Sequence, residues 1–136
     1  MTMHAAGTLT GKSWDEQPYS EIEDGPKLAH VASGNIFAGD IEGESVLHYL
    51  MIYSGDSVPF SGYERVTGRI GLRAGSFVLH HQGSYADGAV RTTWSVVPGS
   101  GTGDLVDLRG SGGYIAPLEQ VATYTLDYDF EGASGQ

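Results

Sequence analysis

The chain has no cysteine, which removes disulfides, thiolate nucleophiles and cysteine-based metal sites at once. It has no apolar run long enough to form a membrane-spanning helix. It is short of positive charge: 7 Lys and Arg face 17 Asp and Glu, a net charge of −10. A surface of that sign repels nucleic acid and anionic membrane, so neither is expected as a partner. The opening Met-Thr-Met-His-Ala-Ala-Gly7 lacks the basic start and apolar stretch of a signal peptide. Together with the missing cysteines, this leads to the expectation of a cytoplasmic protein. Proline is sparse at 5 residues, whereas glycine is abundant at 21 without low-complexity repeats. That combination points to tight turns and bent strands rather than to disorder.

Period-two alternation dominates the 136 residues, and turn residues break it at short intervals. Strands are expected at Ala5–Trp14, Lys27–Ile41 (bent at Gly34 or Gly39), Ser45–Tyr53, Pro59–Gly68, Ser76–Tyr85, Ala89–Val97, Gly110–Ile115 and Val121–Phe130. An acidic, proline-containing loop is expected over Asp15–Pro26, where Trp14–Asp24 is the one weak candidate for a helical turn. Glu42-Gly-Glu44 and Ser54-Gly-Asp-Ser57 are expected turns. About eight short strands with no firm helix must hide their edges. The expected fold is therefore all-β, a closed antiparallel β-barrel of about eight strands, with a sandwich as the alternative. One domain over 1–131 and a tail over 132–136 complete the division.

One hairpin can be registered from its turn. Asp87-Gly88 suits a type I′ turn, because both positions need positive φ. Ala86 then faces Ala89, Tyr85 faces Val90, His81 faces Trp94 and Leu79 faces Val96. This pairing puts Phe77, Leu79, His81, Trp94 and Val96 on one face, and a one-residue slip would scatter the set. In the last strand Tyr124, Leu126, Tyr128 and Phe130 alternate with Thr and Asp, so the aromatic set faces the core. In Phe60–Gly68 the apolar ends Phe60 and Val66 put Glu64 inside, although Tyr63 argues for the opposite face.

A family resemblance rests on several of these segments together. Gly99-Ser-Gly-Thr-Gly-Asp-Leu-Val-Asp-Leu-Arg-Gly110 resembles a glycine-rich turn of the allene oxide cyclase and dirigent-type barrels. Further matches are Lys12-Ser-Trp-Asp-Glu16, Phe37-Ala-Gly-Asp-Ile-Glu-Gly43, Tyr49-Leu-Met51, Gly62-Tyr-Glu-Arg-Val66, Ser76-Phe-Val-Leu79 with His81, and Tyr124-Thr-Leu-Asp-Tyr128. With Val97-Pro-Gly-Ser-Gly-Thr-Gly103, the whole set looks like the bacterial domain-of-unknown-function family 3224. The resemblance implies an allene-oxide-cyclase-like barrel and no settled activity; taking a cyclase's chemistry from it would be analogy from fold.

Glu64 and His81 are the leading candidates for chemistry. A carboxylate buried in an apolar lumen is costly unless partnered, and a carboxyl beside an imidazole can act as general acid or base. A structural Glu–His tie between strands is the competing explanation. Tyr49, Phe77, Trp94, Tyr124 and Tyr128 are candidates to line a chamber for an apolar ligand, or to fill the core. His80 and His81 are adjacent and so point to opposite faces, and no metal is expected from them with His30 and His48. No nucleophile elbow frames a serine for a Ser-His-Asp triad. Gly99–Gly103 lacks the lysine and helix of a phosphate loop and is expected to be a barrel turn. Arg109 is expected to pair with an acidic neighbour or a loop carbonyl.

The functional expectation is a cofactor-independent cyclase, isomerase or lyase. It would hold one conformer of a small apolar substrate inside the barrel, with Glu64 and His81 for proton transfer. The alternatives are a carrier of a small hydrophobic ligand and a structural domain with a filled barrel. Homo-oligomers are expected from the apolar outer face of Ser45–Tyr53.

Overall fold

A computed structural model describes residues 2–117 and 121–130. It contains nine strands: β1 (Met3–Ser20), β2 (Lys27–Gly39), β3 (Ile41–Tyr53), β4 (Val58–Ile70), β5 (Arg73–Ala86), β6 (Ala89–Val96), β7 (Thr102–Gly103), β8 (Leu108–Pro117) and β9 (Ala122–Phe130). Every pairing is antiparallel. Hydrogen bonding runs β4-β3-β2-β1-β9-β8-β6-β5, and β4 pairs with β5 to close the ring. The result is an eight-stranded barrel; the two-residue β7 adds only a short pairing with Gly75 and Ser76 of β5. The expected tail over 132–136 lies outside the described residues.

The β5–β6 hairpin has the register its turn dictates. Asp87 and Gly88 have φ of 53° and 78°. His81 pairs with Trp94, Leu79 with Val96 and Ala86 with Ala89. In β9, Tyr124 and Leu126 are buried and the intervening Thr123 and Thr125 face outward. In β4, Glu64 is fully buried while Tyr63 is 57% exposed, so the apolar ends of the strand decided the face.

Two boundaries and one strand interior differ from expectation. First, β1 does not end at Trp14. It runs to Ser20 and pairs with β2 as far as Ser20–Leu28, which makes strand of most of the expected acidic loop and leaves no helical turn there. The acidic and polar residues stay on a strand because its far end stands at the barrel rim, where they reach water. Second, β2 turns into β3 at Gly39-Asp40 rather than at Glu42–Glu44. Gly39 takes φ 105°, and Asp40 brackets Ala6: its N–H donates to Ala6 O (3.1 Å) and its carboxylate accepts from Ala6 N–H (2.9 Å). This turn puts Ile41 in the core, where its N–H donates to the Tyr124 hydroxyl at 2.9 Å. Third, β1 carries a bulge between Gly11 and Ser13. An extra residue exchanges the two faces of a strand. Before the bulge Ala5 and Leu9 face the core; beyond it Trp14 and Glu16 face inward.

The lumen is filled unevenly along its axis. One end is plugged by Phe37, Ile41, Val66, Phe77, Leu79, Trp94, Tyr124, Leu126 and Phe130. The glycine-rich stretch after β6 folds across this end and drops Leu105 into it, fully buried. That stretch is a structural closure of the barrel, as expected. A smaller cluster of Val31, Leu47, Tyr49, Met51 and Phe60 lines one side of the other end. That end is open.

Candidate functional site

Between plug and open end, four consecutive strands each contribute one inward polar side chain: Asn35 from β2, Ser45 from β3, Glu64 from β4 and His81 from β5. Register explains why they meet. Glu64 pairs with Leu47 and Leu79, while Ser45 pairs with Val66 and His81 with Gly62. Ser45 and His81 are therefore the diagonal neighbours of Glu64 on the same face, within reach of a long side chain. Gly62 makes room: a Cβ there would sit 2.1 Å from His48 O and 2.3 Å from Tyr49 Cβ.

Glu64 is the hub. Its Oε2 accepts from the Ser45 hydroxyl in a short hydrogen bond and from Asn35 Nδ2 at 3.0 Å. Its Oε1 lies 2.7 Å from His81 Nε2, a close ion-pair contact in which the ring N–H is not in line with the oxygen. Glu64 and His81 are fully buried. His81 Nδ1 has no hydrogen-bond partner among the described residues. The imidazole is held instead by rings, edge-on to Trp94 (centroids 5.2 Å) and to Tyr114 (5.8 Å). The β2–β3 ladder skips Gly34 and Asn35, and the Asn35 N–H donates to Ser45 Oγ at 3.1 Å. The side chain that supports Glu64 thus also replaces a missing ladder bond.

Above this layer lies a hollow of about 1090 Å³. Leu47, Tyr49, Met51, Phe60, Val90 and Tyr114 form its inner wall, and Lys12, Trp14 and Val121 stand at its rim. Asn35 and Tyr114 line the hollow on one side and touch Glu64 or His81 on the other. Glu64 and His81 do not line it. The shared hollow expected of them is therefore separated from them by one layer of side chains. Of the five aromatic candidates, Tyr49 faces the hollow. Phe77, Trp94 and Tyr124 are plug, and half-buried Tyr128 packs against that plug. Trp94 Nε1 donates to Thr125 O at 3.1 Å, and the Tyr124 hydroxyl reaches Ala38 O at 3.0 Å, so both have structural partners.

The electrostatics of the hollow are one-sided. Burial first, then the charges of Tyr114, Glu16 and Glu64, pushes the Tyr49 phenol far above its ordinary value. Tyr53 donates a short hydrogen bond to Glu16, which pushes its phenol up to about 12. Burial pushes Tyr114 up to about 12 as well; the Thr92 hydroxyl tempers the rise and Glu64 adds to it. Phenolate is disfavoured throughout.

Sequence reasoning missed Asn35, Ser45, Trp14, Glu16 and Tyr114. The inward set of β3 contained Ser45, but only the bulge in β1 tells which of its distal residues face inward. His30 and His48 sit on the outer face with ring nitrogens 3.0 Å apart, and His80 stacks on Tyr63 there, opposite to His81. Arg109 pairs with Asp129, Nε to Oδ1 at 2.5 Å, as expected.

A family model described as protein of unknown function (DUF3224) matches residues 5–128. The chain belongs to that family. A crystal structure at 1.84 Å of a DUF3224 protein of unknown function from Shewanella oneidensis MR-1 superposes with a TM-score of 0.77. The two chains are 26% identical, and the match covers 96% of this chain and 99% of that one. No curated protein matches. The DUF3224 assignment agrees with the resemblance drawn from the sequence motifs, and the barrel is common to both structures.

Proposed function

We propose that this DUF3224 barrel binds a small, mostly apolar molecule in its open hollow. The observation that carries the reading is the contrast between the two ends of one lumen. The far end is packed with side chains, whereas the near end leaves about 1090 Å³ walled by Leu47, Tyr49, Met51, Phe60 and Val90. An eight-stranded barrel has room for packed side chains or one small ligand, and this one divides its length between the two. The volume and apolar lining match those of small-molecule sites. Asn35 is the polar group at the floor, and Nδ2 is already committed to Glu64. Its carbonyl oxygen fits a hydroxyl or another donor on the ligand.

The test is saturable binding of a neutral fluorescent probe, N-phenyl-1-naphthylamine. The inward-facing Ala116 on β8 lines the hollow, so Ala116→Trp should place an indole in it and obstruct a bound molecule. Binding to the wild type and loss in a folded Ala116→Trp protein support the reading. Equal binding by both, or none by the wild type, overturns it.

A second reading, a cyclase, isomerase or lyase, draws on Asn35. It touches both the hollow and the Glu64 carboxylate, so a ligand on Asn35 lies one side chain from the buried acid–base pair. The two readings part on the fate of the ligand. A carrier returns it unchanged from wild type and Glu64→Gln alike, whereas a catalyst converts it and loses conversion in Glu64→Gln.

A further inference from the structure

We propose that the ligand of this hollow is a hydrophobic cation of the alkylammonium type, its apolar body in the lumen and its positive charge at Glu16. The inference rests on the binding reading above and adds the charge and orientation of what is bound.

Glu16 is the decisive residue. It stands eleven residues before Lys27 on the far stretch of β1 and pairs with Val31 of β2 near the open end. The bulge between Gly11 and Ser13 puts its side chain on the inner wall, where an unbulged strand would present Asp15 instead. The carboxylate accepts from the Tyr53 hydroxyl and makes no ion pair with a basic side chain among the described residues. Two cations stand nearby and both are engaged. Lys12 is held by Glu44 at 2.9 Å, and the Lys27 ammonium lies 4.2 Å above the centroid of the Tyr53 ring.

The walls around that carboxylate are aromatic. Trp14 meets Tyr49 edge-on (centroids 5.9 Å), Tyr49 tilts against Phe60 (5.0 Å), and Tyr53 completes the group. Ring faces carry negative potential and attract cations, alkylammonium groups above all. The Lys27–Tyr53 contact shows a ring of this group already used in that way.

Among the described residues the deep end adds no basic side chain to the lining, since the buried His81 is paired with Glu64. Glu64 lies directly beneath the floor, behind Asn35. The raised phenols of Tyr49, Tyr53 and Tyr114 register the combined effect of burial, Glu16 and Glu64. Burial opposes a charge of either sign, and it is the Glu16 and Glu64 contributions that set a carboxylate ligand at a disadvantage to a cation. A net charge of −10 favours approach of a cation as well.

The experiment compares three probes with one eight-carbon tail, octyltrimethylammonium, octanol and octanoate, each displacing N-phenyl-1-naphthylamine at pH 7 and near-physiological salt. The cation should bind about tenfold tighter than octanol, and octanoate weakest. Glu16→Gln should bring the cation to the level of octanol and leave octanol itself unchanged. Glu23→Gln, which removes an exposed acid outside the hollow, should leave the preference intact and so separates a local effect from bulk charge. Octanol binding as tightly as the cation, octanoate binding more tightly, or a preference that survives Glu16→Gln overturns the inference while the hollow remains a binding site. Failure of the naphthylamine itself to bind would instead remove the binding reading, and this one with it.

Discussion

Replacing both members of the buried Glu64–His81 pair should cost far less stability than replacing either one. Glu64→Leu removes the acceptor for Ser45 and Asn35 and the carboxylate that faces His81. Asn35 can turn toward the hollow, but His81 and Ser45 are buried and keep donors with nothing to receive them. His81→Leu leaves a carboxylate with no accessible surface and only two neutral donors. Breaking a buried pair from either side costs about 3–5 kcal/mol. If the two costs were independent, the double variant would lose about 6–10 kcal/mol, comparable with the whole stability of a domain this size. With both replaced, no unpaired charge is left beside Leu79 and Val66; the Ser45 hydroxyl still lacks its acceptor, while the Asn35 N–H keeps its bond to Ser45 Oγ. The double variant should then lie within about 2 kcal/mol of wild type. Urea titrations followed by tryptophan fluorescence, with unchanged m-values, give the four free energies of the cycle. A coupling of about 3 kcal/mol or more is expected. Additive losses, or single variants as stable as wild type, would show that the pair does not hold these strands together.

Three further outcomes follow from the same structure. Trp94→Ala should cost about 3–5 kcal/mol in a urea titration, because the ring is 3% exposed and packs on Phe37, His81 and Tyr114. Gly88→Ala should cost about 1–2 kcal/mol and slow β5–β6 pairing, since φ of 78° disfavours any Cβ; a neutral result by thermal melting would contradict the turn assigned here. Alkali should destabilise the protein. The folded phenols of Tyr49, Tyr53 and Tyr114 hold their protons above the value of 10 in an unfolded chain, so the native state binds more protons there and stability falls as pH rises from 10 through about 12. Phenolate absorbance against pH reads this directly, and all eight tyrosines titrating together near pH 10 in the folded protein would refute it.

How much of this was legible beforehand depended on where each residue's constraint comes from. The β5–β6 register was written locally, in Asp87-Gly88 and the apolar alternation on either side. The inward face of β9 was equally plain, because Tyr124, Leu126, Tyr128 and Phe130 alternate with Thr and Asp. Glu64 could be placed inside only by weighing Phe60 and Val66 against Tyr63. The site's remaining parts had no local signature. Asn35 and Ser45 are short polar residues whose importance arises from diagonal neighbours on two other strands. Trp14 and Glu16 face the hollow because of one bulge, and a bulge leaves little mark on hydropathy. The acidic stretch after Trp14 looks like a loop, yet it pairs with β2 as strand because the rim lets its charges reach water. Which aromatic residues plug the lumen and which border the hollow depends on height along the barrel axis, a quantity that alternation alone does not carry.

The central claim is that the open half of the barrel, and not its packed half, receives a small apolar molecule. Side-chain NMR of the wild type titrated with N-phenyl-1-naphthylamine tests it most directly. Signals from Tyr49, Met51, Phe60 and Tyr114 should move together with a single saturation curve, while those of Phe77, Leu126 and Phe130 stay in place. Shifts centred on the packed residues, or none that saturate, would contradict it.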